Sequence, residues 1–169
     1  ASCAAFALIE RISPENLSGT IIVFPLINVP AFENRSVYVC PLDGKNINRV
    51  FPGDPTGSIS DKIAFEVFNF LTRNCQYLID LHCGDLIEDL CAYASYKETG
   101  DQQKDALLEK MATLMNLGTV LANRGNDIKG TLTEEATKVG VYSIVAECGG
   151  RGIIDEKCVD RLYRGCLLY

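Results

Sequence analysis

Histidine is nearly absent. The 169-residue chain carries a single one, His82, so any imidazole chemistry is confined to that position. No C-x-x-C pair occurs among the eight cysteines, at positions 3, 40, 75, 83, 91, 148, 158 and 166. Most of them sit inside apolar elements, where a free thiol behaves as a small hydrophobe, which argues against a zinc ribbon or a disulfide scaffold. Reduced thiols fit a cytoplasmic protein. A basic run is missing as well: 16 Lys and Arg are scattered among 22 acidic residues, for a net charge of −6. Nucleic acid and anionic membrane are therefore not expected as partners. No apolar run reaches the roughly 18 residues of a membrane span, and the best stretch, Ile21 to Phe32, is cut by Pro25 and Pro30. Neither an initiator Met nor a basic leader precedes the alanine-rich Ala1 to Ile9. That start reads as an amphipathic helix rather than a signal peptide, and as a truncated one.

What remains is ordinary globular composition, 47% hydrophobic and 22% charged, enough for one domain over residues 1–169. Ala4, Phe6, Ala7, Leu8 and Ile12 mark a first helix, ended at Ser13-Pro14. Thr20 to Phe24 is a β-branched apolar run and predicts a buried strand. An irregular stretch from Pro25 to Gly57 follows, of a length usually reserved for function. Ser58 with Asp61 caps a helix whose apolar face is Ile63, Ala64, Val67, Phe68 and Leu71. Tyr77 to Leu81 is a strand leading into His82, and Leu90 to Ala94 a further candidate. Asp105 to Leu117 predicts a helix closed by Gly118, and Thr119 to Ala122 a short strand. Thr131 and Glu134 form a capping box for a brief helix to Gly140. Val141 to Ala146 is the clearest late strand and delivers Glu147, and Ile153 to Leu168 closes the chain as a helix. Alternating strands and helices predict an α/β fold with a mostly parallel mixed sheet covered by helices on both faces.

Three segments carry chemistry. His82 arrives at the carboxyl end of an apolar strand, where open α/β folds keep their ligand sites; a hydrogen-bonded core histidine is the alternative. Asp80, two residues earlier, shares its face of the strand and suits the role of a carboxylate that orients the imidazole, or is an ordinary strand-end acid. Glu147 ends an apolar strand ahead of Cys148-Gly149-Gly150. Apolar surroundings raise a carboxylate's pKa toward that of a general base, unless the side chain turns out to solvent. In the loop Asp43 to Gly53, Asn48 and Arg49 pair an amide with a planar guanidinium, a combination suited to a substrate carboxylate, although a loop arginine is solvated by default. Asp85 and Glu88 read as solvated loop acids, with a place in the pocket lining near the metal as the alternative. Gly150-Arg151-Gly152 lacks the third glycine of a dinucleotide turn. Cys83 faces away from its neighbour His82, so it does not form a nucleophilic pair with it.

Pro25 with Asn28-Val29-Pro30-Ala31-Phe32, then Pro41, Asp43, Gly44 and Asn46 to Gly53, then Asp80-Leu81-His82, then Glu147 with Gly149-Gly150 follow one another over nearly the whole chain. In that order and spacing the sequence resembles the succinylglutamate desuccinylase/aspartoacylase family, relatives of the zinc carboxypeptidases. The resemblance implies a zinc carboxypeptidase-like fold and a metallohydrolase that cleaves an amide, or an ester-like bond, in a small carboxylate-bearing substrate. It also implies His82 as a zinc ligand, Asp80 behind it, Asn48 and Arg49 as substrate-binding residues, and Glu147 as the base that activates water.

The departures set further expectations. The family's H-G-x-E-type motif, which brings two metal ligands ahead of the first helix, is absent, as is a C-terminal β-rich portion. The chain is thus expected to be a central piece truncated at both ends. Alone it is expected to bind zinc weakly and to be inactive, because a catalytic zinc takes three protein ligands. Where many members place a substrate-binding arginine, this sequence has Tyr38. The rival reading is a non-catalytic carboxylate-binding module that has lost the metal site. A third is a structural fragment completed by a partner segment.

Overall fold

The structure is a computed structural model that describes residues 1–125 and 128–168. Helix α1, Ser2–Arg11, buries Ala4, Ala5, Ala7 and Leu8, whereas Phe6, expected on that stripe, is 50% exposed and Ile12 caps the helix from outside. Inside the long irregular stretch lies a five-residue helix α2, Val29–Glu33, started by Asn28, whose side-chain oxygen accepts from the Ala31 N–H at 3.2 Å. Helix α3, Ile59–Asn74, begins at the full capping box of Ser58 and Asp61. The remaining order is β1 Tyr77–His82, β2 Tyr93–Lys97, α4 Gln102–Leu114, β3 Val120–Asn123, α5 Leu132–Lys138, β4 Tyr142–Glu147 and α6 Glu156–Cys166. Asp101 and Asp155 cap α4 and α6 through their side chains, and each helix starts at that cap rather than where the apolar pattern alone put it.

The four strands form one mixed sheet in the order β1-β4-β2-β3. β1 runs parallel to β4 and β2 parallel to β3, while β2 and β4 are antiparallel. Alternation along the strands sorts the two faces. Ile144, Ala146, Ala94 and Tyr96 face one side and pack with Ala4, Leu108, Met111, Met115 and Leu162 from α1, α4 and α6. On the other side Leu78 meets Ala64, Phe68, Leu71, Leu132 and Ala136 from α3 and α5. Helices therefore cover both faces, as the element order predicts. Ser143 is buried on the second face, where its hydroxyl donates to the Thr133 carbonyl at 2.7 Å and ties α5 to β4.

Thr20 to Phe24 departs from expectation. The segment is no strand, and Ile21 and Phe24 remain well exposed. Among the described residues no backbone hydrogen bond reaches Thr20 to Phe24. A β-branched run becomes a strand only where a neighbour completes its ladder. Here the nearest edge, β1, lies across a cavity of about 1160 Å³ lined on one side by Thr20 to Asn28 and on the other by Tyr77 to His82.

Candidate active site

The sheet register builds the centre of the site. β1 and β4 end together, and His82 lies opposite Glu147 across the parallel pair. The pairing continues past both strands: the Cys148 N–H donates to the His82 carbonyl at 3.2 Å, and the Gly84 N–H to the Gly149 carbonyl at 2.9 Å. Two carboxyl ends are thus fixed side by side, at the position where open α/β sheets bind ligands. Gly150 permits the close approach of the next loop, because a Cβ there would lie 2.1 Å from the Glu88 carbonyl oxygen.

Asp80 and His82 share one face of β1, and Asp80 Oδ2 stands 3.0 Å from His82 Nε2. The Asp80 carboxylate raises the imidazole pKa to about 9; burial opposes that rise, and Glu147 adds to it. Asp85 is pushed up by burial first, then by the Glu88 and Glu147 carboxylates. Asp85 and Glu88, expected in solvent, instead sit half-buried near Glu147.

The Asp43 to Gly53 loop is anchored at both ends. Asp43 accepts from the Ser58 hydroxyl at 2.7 Å, the Ser60 N–H at 2.8 Å, the Ser60 hydroxyl at 2.9 Å and the Lys45 N–H at 3.2 Å. Burial works against its ionisation, but these four donors outweigh it and hold the carboxyl well below the usual range. Further on, Asn46 accepts from the Asn48 N–H at 2.9 Å, and Asn48 Oδ1 accepts from the Leu132 N–H, in the first turn of α5, at 2.8 Å. Asn48 therefore spends its side-chain carbonyl on the fold. Arg49 is exposed, with its guanidinium folded back to donate to the backbone carbonyl of Asn48. Gly130 presses on this loop: a Cβ there would lie 2.3 Å from the Arg49 carbonyl oxygen.

Asn48, Asp80 and His82 line the same cavity, with Glu147 beside His82 in the sheet. Arg49 and Glu147 both lie outside that lining. Sequence reasoning missed two tyrosines. Tyr38 donates to Glu88 Oε1 at 2.8 Å, and that contact raises the phenol pKa. Tyr93 opens β2 directly opposite Glu147. Burial and then the hydrogen bond to Glu147 push its phenol pKa strongly upward. The sequence pattern predicts this strand over Leu90 to Ala94, but β2 runs Tyr93–Lys97, and only that start sets Tyr93 in register with Glu147; Tyr38 stands at the position where the family resemblance implies an arginine.

The donor set does not by itself hold a zinc ion. Among the described residues no group of three His, Cys, Asp or Glu side chains converges on one point, and the single imidazole is already paired with Asp80.

Comparison with known proteins follows the same outline. The family profile described as "Succinylglutamate desuccinylase/Aspartoacylase catalytic domain" matches residues 2–168. An N-alpha-acetyl-L-2,4-diaminobutyric acid deacetylase from Halomonas elongata is 35% identical over 158 residues, covering 94% of this chain and 46% of that protein. A succinylglutamate desuccinylase/aspartoacylase crystal structure from Rhodobacter sphaeroides superposes with a TM-score of 0.88 at 26% identity, over 98% of this chain and 48% of the other. The product-bound ectoine utilization protein EutE (DoeB) from Ruegeria pomeroyi gives 0.89 at 25% identity, over 98% and 50%. The chain thus spans about half the length of the relatives it matches.

Proposed function

Since the chain belongs to the succinylglutamate desuccinylase/aspartoacylase family, we propose that it forms part of a hydrolase that removes an acyl group from a small, carboxylate-bearing N-acyl amino acid. The observation that carries this reading is the pairing of His82 and Glu147 at adjacent strand ends, with Asn48 on the cavity that His82 lines. Glu147 takes the proton of the attacking water and returns it to the leaving amine nitrogen. Asp80 fixes the imidazole through Nε2 and leaves Nδ1 open. The amide N–H groups of Asn48 grip the substrate, and Arg49 reaches its carboxylate by leaving the Asn48 carbonyl. The zinc implied by the resemblance belongs to this reading only with donors beyond His82, so no step is assigned to it. A cytoplasmic location is part of the same reading and agrees with eight free cysteines.

The test is Glu147→Gln in the natural full-length protein, assayed on a panel of N-acyl amino acids that includes acetylated diaminobutyrate. Removing a general base should cost about 10²–10⁴-fold in turnover, with the fold retained. Unchanged turnover removes Glu147 from this role. The incomplete metal set among the described residues favours a second reading, a carboxylate-binding module without catalysis. Binding of N-acyl amino acids without turnover by the full-length protein would select it.

A further inference from the structure

Three neighbouring strands contribute to one polar row. His82 ends β1, Glu147 ends β4, and Tyr93 begins β2; the register sets His82 opposite Glu147 and Glu147 opposite Tyr93. In-register partners on adjacent strands project from the same face, with Cβ atoms about 4.5–5.5 Å apart. Asp80, two residues before His82, extends the row behind the imidazole at 3.0 Å. The order along the face is therefore Asp80, His82, Glu147, Tyr93.

From this row we propose that Tyr93 is a positioning residue for Glu147: its hydroxyl donates to one carboxylate oxygen and leaves the other turned toward the reacting water. The inference rests on Glu147 acting as the base. The phenol is half-buried at the strand start and belongs to neither apolar cluster, so its ring does little for the core. What stands beside it, in register on the neighbouring strand, is Glu147. A glutamate has three side-chain torsions, and at a strand end little packing selects among them. A donor fixed on the next strand selects one. On the opposite side His82 is fixed by Asp80, so the base lies between two groups that are themselves held. The upward shift of the phenol agrees with a hydroxyl that keeps its proton and stays a donor throughout the neutral range. No proton leaves Tyr93 at any point; the proton of the attacking water travels to Glu147 and on to the amine.

The test compares Tyr93→Phe, Glu147→Gln and the double variant in the full-length protein, on whichever N-acyl amino acid it turns over fastest. Loosening the base should lower kcat roughly 10–100-fold with KM nearly unchanged, and the double variant should be no slower than Glu147→Gln alone. A Tyr93→Phe kcat within twofold of wild type, beside an inactive Glu147→Gln, overturns the positioning role and leaves the base intact. Wild-type turnover in Glu147→Gln overturns the underlying reading instead. A loss seen in KM, or one matched by a lowered melting temperature, assigns the hydroxyl to substrate binding or to the fold and also overturns the proposal. A readout independent of turnover is the Glu147 side-chain carboxyl resonance in protein carrying ¹³C-glutamate. Tyr93→Phe should move that signal and leave those of remote glutamates in place; an unmoved signal refutes the contact.

Discussion

Replacing Asp43 with Asn changes one oxygen for an amide and tests the anchor of the Asp43 to Gly53 loop. Oδ1 keeps its role toward Lys45 and the Ser60 hydroxyl, but the new amide group stands where Oδ2 met the Ser60 N–H at 2.8 Å. Donor then faces donor. Ser58 can turn to accept, because its hydroxyl already has Asp61 at 2.7 Å as a second acceptor. Bonds to a charged group are worth about 1.5–3 kcal/mol and neutral ones about 0.5–1.5, while an unmet buried donor costs about 1–3. Three bonds weakened and one lost come to about 5 kcal/mol in dry surroundings. Asp43 is partly open to water, which cuts this to about 2–3 kcal/mol. For a chain of this size that is a fall of roughly 5–10 °C in melting temperature, read by circular dichroism or urea denaturation. The pH dependence follows from a carboxyl whose folded pKa is depressed. Its stabilisation is complete above the unfolded value and fades as pH falls toward the folded one. The gap between wild type and Asp43→Asn should therefore be full above about pH 5 and shrink below about pH 4. A melting temperature within about 1 °C of wild type at neutral pH would refute the reasoning, since typical effects here are several-fold larger.

Other outcomes follow from the same structure. Gly130 has φ +77° and its Cβ would strike the Arg49 carbonyl, so Gly130→Ala should cost at least about 2 kcal/mol and weaken substrate binding by moving Asn48. Equal affinity would separate that turn from the site. Ile144 is fully buried between β4 and α4, and Ile144→Ala should cost about 2–5 kcal/mol against about 0.5–1.5 for Ile144→Val, measured by urea unfolding. With one imidazole and no three-donor group among the described residues, the 169-residue chain should retain no stoichiometric zinc after dialysis. Metal analysis that finds one zinc per chain, lost in His82→Gln, would contradict this.

Legibility from sequence divides by how local each feature is. The capping box at Ser58, the side-chain cap at Thr131, the strand that delivers His82 and the strand that delivers Glu147 are each written in a few neighbouring residues, and each is found within a residue or two of its expected place; at Thr131 only the half of the expected box that accepts from the Glu134 N–H is shown. Helix α2 was hidden because Val29-Pro30-Ala31-Phe32 is too short to show a period. The service of Asn48 to the Leu132 N–H spans 84 positions and leaves no local trace. The same holds for the antiparallel pairing of β2 with β4, which alone brings Tyr93 to Glu147. Thr20 to Phe24 carries strand composition, but composition specifies no partner.

β1 is the outermost strand on its side, and Tyr77 at its start is 55% exposed. One flank of its peptide groups has no ladder, and the wall of the neighbouring cavity is rich in aliphatic side chains. Such a border is a template onto which another chain can add. Handled as these 169 residues alone, the protein is expected to self-associate as its concentration rises, and a charged substitution at the exposed start of that border, Tyr77→Lys, should keep it monomeric at loadings where the wild type elutes early from a sizing column.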